Sequence, residues 1–304
     1  MQYGGELADH LPMATLALEQ MGASPARVDE FGRRYVSEKG LLPLEDAPAE
    51  ATDRSEMRNE IARLGRDRVL RRELAHLMPS AGTGAFHPLI RLAYAIEKDD
   101  DAEVAAAIVY WNMARMDVAY APLRKQGRFN AAVAAGALRG AFDGVALPGG
   151  LIVRAMEAAA ACDAFADAVA AGGAPHDEHD LCEIARFVVE WFAATRGFVA
   201  LHAMTATYAF RVLTPYLDLE EALPAMWWSL CTAYAAARTP EFDAPELERV
   251  PAWEVILTAA IASDDEHVIK AVYTAWREER AYGGPLYRFA AAQTAKVTGG
   301  VSFS

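Results

Sequence analysis

Four histidines stand in settings that suit ligand chemistry. His10 precedes Leu-Pro-Met at the mouth of the first helical segment, and His87 sits near the start of Phe86-His-Pro-Leu-Ile-Arg-Leu-Ala-Tyr94. His202 lies inside the apolar run Leu201-His-Ala-Met-Thr205, and His267 falls in Asp264-Asp-Glu-His-Val-Ile-Lys270. Each is flanked by apolar residues at helical spacing, which turns it inward, where an imidazole needs a partner for both ring nitrogens. One such residue is usually a hydrogen-bonded core histidine. Four of them on four helices open a second reading, because helical bundles build metal sites from inward side chains on facing helices. Lys270 lies three residues after His267 and shares its helix face. On the residues alone, a pairing with Glu266 or a reach to solvent is its simpler role.

Other candidates follow from the same spacing. Arg91 and Tyr94 lie four and seven residues beyond His87, and Thr205 three beyond His202, so they share faces with the histidines and are candidates to bind a phenolate or orient a ligand. Pairing of Arg91 with an acid and core packing of Tyr94 are equally open. His176 and His179 follow Gly172-Gly173 in an acidic stretch that reads as an exposed helix start, and His76 lies in a polar, arginine-rich helix; all three read as surface residues. The chain lacks a GxxxxGK[ST] loop, a GxSxG elbow, an HExxH string and a CxxC pair. Gly82-Thr-Gly84 is a fragment of a dinucleotide loop, but it follows a helix and has His87 where the third glycine would stand.

The elements that must position these side chains are helices. Helical periodicity starts at Leu11 and stops at Gly22, and Ser24-Pro25 caps the next helix. After a proline- and acid-rich loop over Leu42–Ala51, the pattern predicts helices over Glu56–Leu64, Asp67–Met78, Phe86–Lys98, Asp101–Met116 and Phe129–Arg139. Gly140–Gly150 reads as a loop. Further helices are expected over Leu151–Ala171, from the Asp177–Asp180 acids to Thr195, and over Phe198–Leu213, Leu219–Arg238, Trp253–Ala262, Asp265–Tyr282 and Leu286–Lys296. There is no run of alternating, β-branched residues of strand length and no repeat. The expected fold is all-α, one large multi-helix domain over residues 1–304, in which an interior metal site is one of the two readings the histidines leave open.

Composition narrows the partners. Of the 304 residues 53% are hydrophobic, many of them alanine, which favours helices in close contact. A formal net charge of -13 opposes a polyanion, so nucleic acid is not an expected partner. In the arginine-rich stretch Arg54–Arg72, glutamates and Asp67 are interleaved at helical spacing, as on a solvated, ion-paired face. Three cysteines without short spacing make no disulfide framework. The uncharged run Ala222–Ala237 contains Pro224 and is shorter than the roughly 20 residues that span a bilayer. The expectation is a soluble cytoplasmic protein without a membrane partner.

The strings around His10, His87, His202 and His267 resemble the recurring blocks of the questin oxidase-like family, in the family's order, from residue 10 to residue 270. That family contains oxygenases of aromatic polyketide pathways, some described as flavin-independent Baeyer-Villiger oxidases and some as iron-dependent ring-cleaving dioxygenases. The resemblance implies a non-haem iron, Fe(II), or another divalent metal, held by His10, His87, His202 and His267, with a carboxylated Lys270 as fifth ligand. It also implies a small aromatic or quinone-like substrate and dioxygen, with NADPH as co-substrate in the Baeyer-Villiger variant. Burial lowers a lysine's pKa, and a neutral amine adds carbon dioxide. The resulting carbamate would balance the charge of an ion otherwise held by neutral imidazoles. Five protein ligands would leave one position for oxygen or substrate in an octahedral site. The rival reading from another class is a helical binding protein that keeps the fold without chemistry.

Overall fold

Alanine-rich amphipathic segments punctuated by glycine and proline give a chain of helices, seen in a computed structural model that describes residues 2–3, 7–41, 48–116, 120–123, 127–243, 247 and 250–297. In order these are α1 (Leu11–Gln20), α2 (Pro25–Lys39), α3 (Pro48–Leu64), α4 (Arg66–Leu77), α5 (His87–Glu97), α6 (Asp101–Met113), α7 (Ala131–Phe142) and α8 (Ile152–Ala160). They continue with α9 (Phe165–Ala170), α10 (Glu178–Thr195), α11 (Phe198–Leu213), α12 (Leu219–Ala236), α13 (Trp253–Ala262), α14 (Glu266–Tyr282) and α15 (Leu286–Thr294). The fold is all-α apart from an antiparallel ladder of two residues a side, Gln2–Tyr3 with Leu7–Ala8. Side-chain caps fix several helix starts: Ser24 accepts from the Arg27 amide, Asp177 from Asp180 and Asp265 from His267.

The departures from the expected boundaries have tertiary causes. Helix α3 begins at Pro48, inside the expected loop, with proline in the position where a missing N–H costs nothing; residues 42–47 of that loop lie outside the described residues. Helix α6 stops at Met113 because the Met116 amide is taken by Thr83 Oγ1 at 3.0 Å. Helix α7 runs through Gly140 to Phe142, whose ring packs on Phe165. The segment expected as one helix over 151–171 is two, α8 and α9, joined by a turn in which the Phe165 amide bonds to the Cys162 carbonyl at 3.0 Å. The turn swings Phe165 into full burial against Trp228, with ring centres 4.9 Å apart. Burial of a whole aromatic ring outweighs the continuity of a short alanine-rich helix.

One hydrophobic cluster extends from Met13 to Ala292. At its heart α12 is buried at every residue from Ala222 to Ala235, and α11 is enclosed by α5, α10, α12 and α14. Helix α1 packs on both α5 and α14. The four elements that carry His10, His87, His202 and His267 therefore meet. Among the described residues no helix is long and apolar enough to cross a membrane.

Candidate metal centre

Each histidine is delivered by a different local device. His10 immediately precedes α1, where Asp9 accepts the Leu11 amide at 2.9 Å and so takes over the capping role. The His10 amide donates to the Tyr35 hydroxyl of α2 at 2.9 Å, and its imidazole is left to turn inward. His87 opens α5 after three successive residues in the left-handed region, Gly84 (φ 57), Ala85 (φ 54) and Phe86 (φ 70). Two of these carry a Cβ, at a cost of about 1 kcal/mol or more each. At Gly84 an added Cβ would also stand 3.2 Å from the Tyr110 hydroxyl. His202 occupies the second turn of α11. His267 and Lys270 sit in the first turn and a half of α14, where Asp265 caps the helix and also faces the His267 ring.

The four imidazoles form a closed ring of neighbours. Ring centres are 4.7 Å apart for His10 and His87, 4.9 Å for His87 and His202, 6.0 Å for His202 and His267, and 4.9 Å for His267 and His10. The Nε2 atoms of His10 and His87 lie 2.7 Å apart. The outer nitrogens determine what faces inward. His87 Nδ1 meets the Gly84 carbonyl, His202 Nδ1 meets the Phe198 carbonyl at 2.8 Å, and His267 Nδ1 meets the Asp265 carboxylate at 3.2 Å. Each of those partners only accepts, so each Nδ1 carries the hydrogen and each Nε2 presents a lone pair. The Nε2 atoms of His202 and His267 are buried with no hydrogen-bond partner.

That arrangement fits a metal ion. Histidine ligands are oriented by an acceptor on the second ring nitrogen, and three of the four have one. Buried polar atoms are rarely left unpaired, and here two lone pairs are left pointing into one space. Two imidazole nitrogens at right angles about 2.1 Å from one ion would stand about 3.0 Å apart, close to the His10–His87 spacing. The donor group whose atoms all fall within 4.8 Å of one another here is His10, Glu266 and His267, which adds Glu266 to the candidate ligands. Burial, with a further push from Lys270, keeps His10 well below the usual imidazole range. Burial likewise lowers His87 to about 3, and burial with His87 alongside lowers His202. All three are neutral donors at pH 7.

Lys270 is 1% exposed, and burial brings its amine down to about 7, with Glu266 and Asp265 pulling the other way. Its Nζ lies 3.1 Å from Nδ1 of His10, the outer nitrogen of that ring. The amine therefore stands behind His10, on the side away from the His87 contact. Glu266, which the sequence offered only as a partner for Lys270, instead pairs with Lys39 at 3.2 Å.

Above the ring opens a cavity of about 590 Å³, lined by His10, His87, His202 and His267, by Phe198, Tyr110 and Met116, by the 150–154 segment, and by Lys39, Arg115, Arg154, Glu157 and Glu266. Lys39, Arg115 and the start of α8 carried no local signal in the sequence, because only the folding of distant segments brings them to this wall. Arg91, Tyr94 and Thr205 do not line it. Arg91 is drawn to Glu103 of α6 at 2.8 Å, Tyr94 packs among tyrosines, and the Thr205 hydroxyl bonds back to the Leu201 and His202 carbonyls of its own helix. His76 is exposed, and His179 is exposed against Arg128. His176 meets Asp180 at 2.9 Å at the start of α10, where His176, Asp177 and Asp180 form a second, surface group of donor atoms.

Fold and site together define a helical protein with a histidine-floored interior cavity. The sequence model of the Questin oxidase-like family matches residues 57–275, and the chain belongs to that family. The matched span holds His87, His202, His267 and Lys270 and begins after His10, which joins them through the packing of α1 on α5 and α14. No curated protein shows a match to this sequence.

Proposed function

We propose that the protein is a metal-dependent oxygenase that acts on an aromatic or quinone-like small molecule with dioxygen. One observation carries the reading: imidazoles from four separate elements turn toward one space at the floor of a cavity, two of them with buried, unpartnered Nε2 atoms. Membership of the questin oxidase-like family supports it. His10, His87, His202 and His267 would hold the ion, for which ferrous iron is the first candidate and other divalent ions are alternatives. When bound, such an ion supplies a site for activating dioxygen next to the substrate.

The chain's own residues do the rest. Phe198, whose ring centre is 4.4 Å from that of His202, and Met116 give the cavity apolar surface that takes an aromatic face. Asp265 and the Gly84 and Phe198 carbonyls hold the imidazole tautomers that leave Nε2 free. Carboxylation of Lys270 belongs to the same proposal: an amine titrating near 7 has a free lone pair in a large share of molecules, and its carbamate would add negative charge beside His10.

The test is anaerobic reconstitution with ferrous iron, followed by oxygen uptake with a hydroxylated anthraquinone, with and without NADPH. Uptake that needs iron and quinone supports the reading, and a requirement for NADPH selects the Baeyer-Villiger variant. Iron that fails to bind the purified protein favours the non-catalytic helical binding protein.

A further inference from the structure

We infer that the cavity selects an aromatic ligand carrying a single negative charge, a carboxylate or a phenolate, and that Arg115 is the residue that selects it. The inference rests on the reading of this cavity as the substrate's seat. Five charged side chains line it: Lys39, Arg115, Arg154, Glu157 and Glu266. Four cancel in pairs, Lys39 with Glu266 at 3.2 Å and Arg154 with Glu157 at 3.3 Å. Arg115 makes no ion pair or hydrogen bond among the described residues. Among the described residues the cavity wall thus holds one uncompensated cation, in a chain whose formal net charge is -13.

The position of Arg115 is tied to the floor. The next amide, that of Met116, donates to Thr83 Oγ1 at 3.0 Å, and Thr83 starts the turn that delivers His87. The backbone next to Arg115 is therefore anchored to the segment that sets one of the four imidazoles. A planar guanidinium offers paired N–H donors that match a carboxylate or phenolate, and Arg115, itself exposed, presents them at the rim of the cavity. A cationic ligand would meet Arg115 with like charge. A dianion such as a nucleotide phosphate would need a second free cation, which the wall, among the described residues, does not offer.

The experiment uses metal-free protein, so that its outcome is independent of any oxygenase activity. Fluorescence titrations at low salt would compare 2-naphthoate with the isosteric, neutral 2-naphthamide. The expected result is about tenfold tighter binding of the naphthoate. Arg115→Gln should remove that preference while leaving the naphthamide within about twofold, and Arg115→Lys should keep part of it. Val153→Trp, which narrows the cavity, should weaken binding of both, with helical circular dichroism checking that each variant folds. Equal affinity for the two probes in the unaltered protein, a preference that survives in Arg115→Gln, or undiminished naphthoate binding in Val153→Trp would each overturn the proposal. Failure of iron-dependent oxygen uptake beside intact naphthoate selectivity would sink the oxygenase reading alone.

Discussion

The helices α5, α11 and α14 carry two buried polar clusters, and the contrast between them separates structure from site. At one end stand the histidines. Further along the same helices stand Tyr94, Tyr208 and Tyr273, with ring centres 5.6–6.0 Å apart. Their polar atoms have partners: Tyr208 and Tyr273 donate to Glu97, Arg277 pairs with Glu97 at 2.8 Å, and Tyr94 lies 3.5 Å from the Thr274 hydroxyl. Burial raises all three phenols above their usual range, so they stay protonated donors at neutral pH. At the histidine end the outer nitrogens are satisfied, whereas the inner Nε2 atoms of His202 and His267 are not. A satisfied buried network fixes packing, whereas aligned orphan lone pairs mark a place kept for a ligand.

The largest expected effect breaks the comparison at the histidine end. His202→Ala should weaken binding of ferrous or cobaltous ion several hundredfold, about 3–4 kcal/mol if four ligands share roughly the affinity of a structural site. Calorimetry under nitrogen measures it, and Tyr208→Phe should leave the same affinity unchanged. Next comes the tyrosine end: Glu97→Ala leaves Arg277 and two phenols without their acceptor and should cost about 3 kcal/mol in urea unfolding, with no change in metal affinity. Asp265→Asn weakens the acceptor that sets the His267 tautomer and should lower metal affinity about tenfold.

The smallest effect is one of pH. Lys270 titrates at about 7 when folded, against about 10.4 in an unfolded chain. Between those values the unfolded chain binds more protons, so the stability of the metal-free protein should rise with pH across that window and lose this contribution as pH falls toward 7. Lys270→Met should flatten the slope and raise stability at pH 7 by about 1 kcal/mol or more. An unchanged slope in that variant would show that the amine is not buried as described.

Much of this was legible in the residues, for local reasons. Gly197 and the apolar run behind it define α11 from Phe198 to Leu213 as expected, and α13 likewise matches Trp253–Ala262. Spacing marked the four histidines as inward residues in need of partners and left core pairing and a shared ion both open, and the resemblance to the family pointed to the shared ion. What was hidden depends on contacts between distant segments. Phe165 breaks a helix only because Trp228 waits for it, and Arg91, at helical spacing from His87, turns away because Glu103 of α6 is within reach. Gly82-Thr-Gly84 looked like a fragment of a nucleotide loop, but its last residue, Gly84, begins the left-handed turn that aims His87. Its signal was the Gly-Ala-Phe-His-Pro string, in which strain before a proline-started helix is paired with a ligand-type residue.

The central claim is that imidazoles from four parts of the chain share one ion, and its most direct test is the stoichiometry of ferrous ion bound under nitrogen, read with X-ray absorption at the iron edge. About one equivalent per chain, with nitrogen neighbours at about 2.1 Å and loss of the ion in a His10→Ala/His202→Ala double variant, is the predicted result. Less than about a tenth of an equivalent, or undiminished binding in the double variant, would contradict it.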